Sequence, residues 1–247
     1  MGGTLAVTAA LAHAGPALTS LTPMRRRLLP ALAGVGYPDH VALTFDDGPS
    51  RRSTPLVLDF LAEHHVHATF FLLGRELAKD RALGHELVAA GHELAVHGWD
   101  HRLLLKRGPR ATLDDITRAH DLIGEVAGRS PRWYRPPYGV LTTAAVYAAE
   151  HLSMRTVLWT AWGRDWRRRA TAESVAATVT QIPAAGGTIL LHDSDACSAP
   201  NSWVSTLEAL PTLLAHWQDQ NLKVGPLHEH GHTVNTPAGL PSGAKRE

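Results

Sequence analysis

The amino-acid sequence predicts a single α/β domain organised around a parallel sheet. The chain has 247 residues, of which 44% are hydrophobic and 19% charged, a balance typical of soluble globular proteins rather than disordered ones. Short apolar runs alternate with helix-like stretches between Val41 and Pro226, as expected when helices cover both faces of parallel strands. Polar residues follow five of these runs. The alternation alone leaves open whether the sheet is open or closed into a barrel.

Seven apolar runs are the predicted strands. Most of them are continuous rather than alternating, which is typical of strands buried on both faces. In chain order they are Val41–Phe45, Ala68–Leu73, His92–Val96, Arg132–Tyr134, Arg155–Trp159, Thr188–Leu191 and Leu222–Gly225.

Threonine residues mark three predicted helix starts. Thr54, Thr112 and Thr171 each precede a stretch with helical apolar spacing, and their hydroxyls are expected to cap its first turn. Gly128 is expected to end the second of these helices. A fourth helix is predicted over Trp203–Trp217, where an internal proline either bends the helix or restarts it.

The two ends of the chain lack the strand–helix pattern. We expect an N-terminal extension over residues 1–36, the α/β domain over 37–227 and a flexible C-terminal tail over 228–247. Thr4–Ala14 is mildly apolar, but it lacks the positive start and the long apolar centre of a secretory signal. These features favour the cytoplasm, with export as the alternative.

Composition excludes several classes of protein. The net charge is +1, so the chain carries no overall basic field for nucleic acid. Cys197 is the sole cysteine, which excludes an internal disulfide and a zinc site built from several cysteines. No apolar run approaches the roughly 18 residues that a membrane-spanning helix needs. We expect a monomer with neither a nucleic-acid partner nor a membrane span.

Polar residues are concentrated after the predicted strands. The carboxyl ends of the strands of a parallel barrel open on one rim, where the active sites of such barrels lie. Five polar segments are therefore expected to converge in space. They are Asp46–Pro49, His97–His101, Arg135–Gly139, Gly163–Trp166 and His192–Asp193.

Two of these segments carry possible metal ligands. His97 and His101 are four residues apart, so both imidazoles can face one ion from a helical turn. With 16 histidines in the chain such a pair also arises by chance, and its position after a buried strand is what favours a site. Asp46 and Asp47 supply a carboxylate nearby. An aspartate before a glycine more often has a structural role, in a turn or at a helix cap, than a catalytic one. Two histidines and one aspartate are a common catalytic set for zinc or a similar divalent ion.

His192 ends an apolar strand and is expected to face the same rim. The alternative is a core histidine that is satisfied by a backbone carbonyl. Asp165 and Arg135 are the partners that favour a chemical role. A carboxylate raises the pKa of a neighbouring imidazole, and an arginine keeps a neighbouring carboxylate ionised.

Taken in order, these motifs resemble those of the polysaccharide deacetylases of carbohydrate esterase family 4, the NodB-homology domain. The resemblance covers about residues 38–226 and implies a distorted seven-stranded β/α barrel. It also implies metal-dependent hydrolysis of the N-acetyl amide of an amino-sugar glycan. The matching segments are TFDDGP at 44–49, HGWDH at 97–101, RPPY at 135–138, GRDW at 163–166 and LLH at 190–192.

The resemblance also implies a role for the residues of each motif. Asp46 corresponds to the catalytic base and Arg135 to the residue that positions it. His192 corresponds to the general acid, which Asp165 tunes. The implied metal ligands are Asp47, His97 and His101, with Zn²⁺ the expected cation and Co²⁺, Mn²⁺ or Ni²⁺ the alternatives. The implied substrate contacts are the Tyr138 backbone amide at the oxyanion and Trp166 and Leu190 at the pocket wall.

Two positions depart from the family pattern. Gly98 stands where the family usually has serine or threonine, so a hydroxyl that would brace the histidine loop is missing. Trp162 stands where an aspartate is usual, which affects substrate contacts or the tuning of His192. Arg164–Arg169 is rich in arginine, and it forms either a solvated loop or a contact for an anionic glycan.

Other functions compete with this interpretation. An aspartate-nucleophile phosphatase would need an aspartate where Phe45 lies, so the motif argues against that class. A catalytically silent glycan-binding relative is disfavoured because both Asp46 and His192 are present. A same-superfamily amidohydrolase acting on a non-sugar amide is not excluded by the motifs.

Overall fold

Parallel strands form one sheet in the computed structural model, which describes residues 12–20 and 22–231. The helices of the domain pack around this sheet. Within the described residues the strands are β1 (His40–Asp46), β2 (Thr69–Leu72), β3 (Glu93–Val96), β4 (Trp133–Tyr134), β5 (Arg155–Thr156), β6 (Ala161–Trp162), β7 (Thr188–His192) and β8 (Lys223–Gly225).

The predicted distorted seven-stranded barrel is confirmed. Seven strands follow one path in the order β5-β4-β3-β2-β1-β7-β6, and β8 pairs with the first half of β1. The seven on this path differ from the seven predicted, because β6 was missed and β8 lies off the path. The two residues of β6 show no strand pattern of their own and are defined only by their pairing with Ile189 and Leu190.

The segment between β5 and β6 spans the gap where the barrel is distorted. The Val157 amide donates to the Tyr134 carbonyl, and the Thr160 amide donates to the Thr188 carbonyl. The strand predicted over Arg155–Trp159 is therefore shorter than expected, because its second half crosses the gap instead of pairing as a strand.

The helices, in chain order, are α1 (Thr22–Leu28), α2 (Pro30–Ala33), α3 (Thr54–Glu63), α4 (Gly74–Lys79), α5 (Arg81–Ala89), α6 (Pro109–Ala127), α7 (Thr143–His151), α8 (Ala172–Thr180) and α9 (Ser202–Asp219). The predicted cap at Thr171 is confirmed, since its hydroxyl accepts from the Ser174 amide and forms a capping box. Gly128 ends α6 in the left-handed conformation, as expected. Pro211 lies inside a single helix.

Two predicted caps are wrong, because each threonine lies in the first turn of its helix rather than at the N-cap position. Thr54 lies inside α3, whose N-cap position is Ser53, and its hydroxyl is used by Asp193 instead. The helix assigned to a Thr112 cap begins at Pro109, and the Thr112 hydroxyl donates to the Gly108 carbonyl within its first turn.

The N-terminal extension packs on the barrel at the gap between β5 and β6. The Arg25 side chain is buried, and its Nη2 donates to the Trp159 carbonyl at 2.7 Å. The Leu158 amide donates to the Leu32 carbonyl at 2.7 Å. Part of the predicted extension therefore closes the wall of the domain, whereas residues 1–11, with most of the mildly apolar Thr4–Ala14 stretch, lie outside the described residues.

The start of the predicted flexible tail is ordered against the domain. Residues Leu227–Glu229 form a 3-10 turn, and His230 is fully buried. Its Nδ1 lies 2.9 Å from Nδ1 of His40, and its Nε2 lies 3.1 Å from the Gly34 carbonyl oxygen. The prediction of a flexible tail is wrong for residues 228–230 because this imidazole finds buried partners that the sequence does not reveal. Residues 232–247 lie outside the described residues.

No helix in the described ranges combines the length and the apolar character that crossing a membrane requires.

Candidate active site

The sequence-predicted residues converge on one cavity at the carboxyl-terminal rim of the sheet. Strand register explains the centre of this arrangement, because Asp46 at the end of β1 is paired with His192 at the end of β7. Arg135 and Asp165 lie beneath the cavity and are fully buried. The polar wall comprises Asp46, Asp47, His97, His101 and His192, and the apolar wall Trp159, Trp162, Trp166 and Leu190.

The three predicted metal ligands point at one another. Oδ1 of Asp47 lies 3.5 Å from Nε2 of His97 and 3.3 Å from Nε2 of His101. Asp47 and His101 both have positive φ angles, 73° and 55°, which non-glycine residues seldom adopt. Strained backbone of this kind persists where the surrounding fold fixes a functional geometry.

Both imidazoles are held in the neutral form that binds metals. Burial lowers the pKa of His97 and of His101 to about 3. Nδ1 of His97 lies 2.8 Å from the Arg135 carbonyl oxygen, so it donates there and leaves Nε2 free to ligate. These two nitrogens and one carboxylate oxygen are the donor set that zinc uses in catalytic sites.

The charge balance of the cavity fits a cation. Oδ1 of Asp47 is buried and has no hydrogen-bond partner among the described residues. The pKa of Asp47 is raised to about 7, mainly by burial; His192 opposes this rise and the neighbouring carboxylate of Asp46 adds to it. A buried oxygen without a donor, beside a second acid, is stabilised by a positive ion. The residues present therefore fit a divalent cation.

Cys197 lies at the same place, although the sequence assigned it no function. One ligand atom each from Asp47, His101 and Cys197 lie within 4.8 Å of one another. The sulfur also accepts from Nη2 of Arg75 at 3.3 Å. Burial raises the pKa of this thiol to about 12. A motif search has no means of finding this residue, because it lies in a loop outside every motif.

Arg135 fixes the predicted base. Its Nη1 donates to Oδ1 of Asp46 at 2.6 Å and to the Thr44 hydroxyl at 2.9 Å, and its Nη2 donates to the Leu158 carbonyl at 2.8 Å. Burial raises the pKa of Asp46, and the Arg135 guanidinium opposes that rise. Oδ2 of Asp46 faces the metal-ligand side, 3.8 Å from Nε2 of His97.

Asp165 fixes the predicted acid. Its Oδ1 lies 2.9 Å from Nδ1 of His192, and its Oδ2 accepts from the His192 amide at 2.7 Å and from the Thr206 hydroxyl at 2.6 Å. Burial alone would lower the pKa of His192, but Asp165 outweighs it and raises the pKa to about 10. Nε2 of His192 lies 3.8 Å from Oδ2 of Asp47. Thr206 comes from α9 and was not identified from the sequence.

Asp193 is a second buried acid behind the site. It accepts from the Thr54 hydroxyl, which in turn accepts from the Ser50 amide at 2.8 Å. Burial raises its pKa to about 7. A Cβ at Gly48 would lie 2.5 Å from Oδ2 of Asp193, so only glycine fits at this point of the loop.

An aromatic wall lines the other side of the cavity. Trp162 stacks on Trp159 with ring centroids 5.5 Å apart and contacts Trp166 at 4.9 Å. Trp166 lies edge-on to His192 at 5.8 Å. The departure at position 162 therefore adds an aromatic face in place of a carboxylate.

Tyr138, the predicted oxyanion residue, lies at the cavity mouth. Its φ of 60° is in the left-handed region, and the residue is 59% exposed. The ring centroid lies 4.5 Å from that of His101. The exposed ring is therefore available to a bound ligand, while the backbone turns sharply at this residue.

The departure at Gly98 is compensated by a carboxylate from α6. Oδ2 of Asp115 accepts from the Trp99 amide at 2.9 Å, and Arg107 pairs with both Asp115 and Asp100. Gly98 has a φ of 86°, and a Cβ there would lie 2.8 Å from Oδ2 of Asp115. The histidine loop is thus braced without the hydroxyl that the family usually supplies.

The arginines beside the aromatic wall are exposed. Nε of Arg167 donates to the Arg164 carbonyl at 3.0 Å. Within the part of the chain that the structure describes, Arg164, Arg167, Arg168 and Arg169 make no ion pair with a carboxylate.

The chain is similar to known polysaccharide deacetylases in both sequence and fold. The family model for polysaccharide deacetylase matches residues 34–157. A chitooligosaccharide deacetylase of Bradyrhizobium sp. (strain ANU 289) is 34% identical over 194 residues, covering 76% of this chain and 88% of the relative. The structure of the Bc1960 peptidoglycan N-acetylglucosamine deacetylase superposes with a TM-score of 0.77 at 27% identity, covering 86% of this chain and 98% of the other.

A third relative with a similar fold is described as a pseudoenzyme. BA3943 of Bacillus anthracis, described as a pseudoenzyme of carbohydrate esterase family 4, superposes with a TM-score of 0.70 at 26% identity. The match covers 78% of this chain and 66% of that one. The fold and the rim motifs define the class as a carbohydrate esterase of the NodB type. The chain belongs to the polysaccharide deacetylase family.

Proposed function

We propose that this protein is a metal-dependent N-deacetylase that hydrolyses the acetamide of an amino-sugar glycan. The observation that carries the proposal is the arrangement around Asp47. Two neutral histidine nitrogens face its Oδ1, and His192 lies beside its Oδ2. An arginine-bound carboxylate, Asp46, stands next to it. This arrangement supports a proton acceptor and a proton donor on either side of a bound cation.

Asp47, His97 and His101 would hold the cation. Zn²⁺ is the cation that this donor set favours, and Co²⁺, Mn²⁺ and Ni²⁺ are the alternatives. When bound, it would supply Lewis-acid polarisation of the acetyl carbonyl and of the attacking water.

Asp46 acts as the general base in this proposal. Arg135 holds one carboxylate oxygen, so the other is left to accept the proton of the water that attacks the acetyl carbon. Oδ2 is the free oxygen, and it faces the cation side. The Tyr138 backbone amide is assigned to the developing oxyanion, following the family pattern.

His192 acts as the general acid. An amide nitrogen leaves poorly as an anion, so the departing amine needs a proton before the C–N bond breaks. Asp165 keeps the imidazole protonated and leaves Nε2 directed to the cavity. Leu190 and Trp166 wall the pocket that receives the acetyl methyl group.

The substrate class is an N-acetylated glycan. The relatives named above act on chitooligosaccharides and on peptidoglycan N-acetylglucosamine, and the cavity of this chain has three adjoining tryptophans that suit the apolar faces of sugar rings. The likeness to a pseudoenzyme means that the fold alone does not imply turnover. Retention of both Asp46 and His192, each with its buried partner, supports an active enzyme.

Acetate release tests the proposal. The purified protein is incubated with N-acetylglucosamine oligomers and with peptidoglycan, after chelator treatment and after reloading with Zn²⁺. We expect acetate from at least one glycan only after reloading. A protein that binds zinc yet releases no acetate from either glycan would contradict the deacetylase and favour a glycan-binding relative.

A further inference from the structure

We propose that Cys197 supplies a fourth protein ligand, a thiolate, to the cation held by Asp47, His97 and His101. The inference rests on the metal site of the proposed function and adds a residue that lies outside all the motifs. Cys197 belongs to the loop over residues 194–201, which follows β7 and lines the cavity.

The geometry brings sulfur to the site. A nitrogen of His101, an oxygen of Asp47 and the sulfur of Cys197 form a set in which no two atoms are more than 4.8 Å apart. Oδ1 of Asp47 is also buried, has no hydrogen-bond partner in the described residues and lies 3.3 Å from Nε2 of His101. An orphaned oxygen, an imidazole nitrogen and a sulfur around one space are a ligand set for a soft or borderline cation.

Hydrogen bonds hold the loop that carries Cys197 beside the cavity. The Ala199 amide donates to the Trp166 carbonyl at 3.0 Å, and the Asn201 amide donates to Oδ2 of Asp195 at 2.7 Å. Arg75 connects this loop to the histidine loop, since its guanidinium donates to both the Cys197 sulfur and the Asp100 carbonyl, each at 3.3 Å. A guanidinium donor also stabilises negative charge on sulfur.

Coordination by the Cys197 sulfur requires loss of the thiol proton and no redox change. The S–H bond of the thiol breaks, the proton passes to solvent, and the sulfur forms a bond to the cation without any change of oxidation state. With the thiolate, the cation would have four protein ligands, the number found in structural zinc sites. The sulfur-bound form would therefore be a resting form that retains zinc, and hydrolysis would need a coordination position open to water.

The predicted consequence is selectivity. Thiolate favours zinc and cobalt over manganese, which prefers oxygen ligands. Removing an outer-sphere partner of a metal ligand typically lowers metal affinity by about tenfold or more, and loss of a direct ligand should cost at least as much. We therefore expect loss of the sulfur to lower the affinity for Zn²⁺ by about tenfold or more. The affinity for Mn²⁺ should fall much less.

Cobalt spectroscopy gives a readout that does not depend on activity. Cys197 is the sole cysteine of the sequence, so any sulfur-to-cobalt charge-transfer absorption in the near ultraviolet identifies it. The wild-type protein, Cys197→Ser and the matched neighbour Ser198→Ala are titrated with Co²⁺, and Zn²⁺ and Mn²⁺ affinities are measured by chelator competition.

We expect the charge-transfer band in the wild type and in Ser198→Ala, and its absence in Cys197→Ser together with the selective loss of zinc affinity. Cobalt bound without a sulfur band, or an unchanged ratio of zinc to manganese affinity in Cys197→Ser, would overturn the thiolate ligand and leave the proposed function standing. Failure of every variant to bind metal would overturn both.

Discussion

Asp46 and His192 are paired residues of adjacent parallel strands, yet their side chains are governed by different buried partners. The register of β1 and β7 sets their Cα atoms opposite each other. Arg135 holds the carboxylate of Asp46 at 2.6 Å, while Asp165 holds the imidazole of His192 at 2.9 Å. The charge of Arg135 favours a proton acceptor at Asp46, and the charge of Asp165 favours a proton donor at His192.

The first prediction concerns the base. Asp46→Asn removes the proton acceptor but keeps the size of the side chain and leaves all three proposed metal ligands in the chain. We expect the rate of acetate release to fall by about 10²- to 10⁴-fold, which is the rate enhancement that general base catalysis usually contributes. The zinc content should be unchanged. Acetate and metal assays on the same preparation check this. Turnover at the wild-type rate would refute the assigned role.

The second prediction concerns the acid. Asp165 raises the pKa of His192, so the protonated imidazole persists to higher pH than it would without that carboxylate. Removing the carboxylate lowers this pKa, and the proton donor is then lost at lower pH. Asp165→Asn should therefore move the alkaline limb of the kcat/KM profile to lower pH. The exposed Asp219→Asn is the control, and an alkaline limb that stays in place in Asp165→Asn would contradict the pairing.

The third prediction concerns the histidine loop. A serine at position 98 restores the usual family residue, but here it meets both a φ of 86° and the Asp115 carboxylate. We expect Gly98→Ser to destabilise the protein by about 1–3 kcal/mol and to weaken zinc binding, because the strain falls between the two histidine ligands. Urea unfolding and chelator competition measure the two effects. Tighter zinc binding in this variant would show that Asp115 does not replace the missing hydroxyl.

The fourth prediction concerns the N-terminal extension. Arg25 is 2% exposed and donates to the Trp159 carbonyl, next to the cavity wall. We expect Arg25→Ala to lower the free energy of unfolding by about 1.5–3 kcal/mol, the range for hydrogen bonds to charged groups. The exposed Arg27→Ala should have little effect on the urea midpoint. Equal effects of the two substitutions would mean that the extension contributes nothing specific to the wall.

The sequence predicted which segments meet at the rim, because the end of each strand along the chain determines this. A parallel strand ends where its apolar run ends, so the residues after Phe45, Val96 and Leu191 had to meet at one edge. The family resemblance then supplied a role for each residue of that rim. Both levels of prediction depend on residues that are close together in the chain.

Partners from distant segments were not predictable in this way. Thr206 reaches Asp165 from α9, and Asp115 reaches the histidine loop from α6. Neither shows a local pattern that distinguishes it from an ordinary helix residue. His230 was assigned to a flexible tail because its partner His40 is 190 positions away in sequence. These contacts are set by packing, which periodicity does not encode.

Metal stoichiometry tests directly whether Asp47, His97 and His101 share one cation. The wild-type protein, His97→Ala, His101→Ala and the exposed His85→Ala are each dialysed against Zn²⁺ and analysed for bound metal. We expect one tightly bound equivalent of zinc in the wild type and in His85→Ala, and its loss in the other two variants. Full zinc retention in both His97→Ala and His101→Ala would contradict a shared cation site.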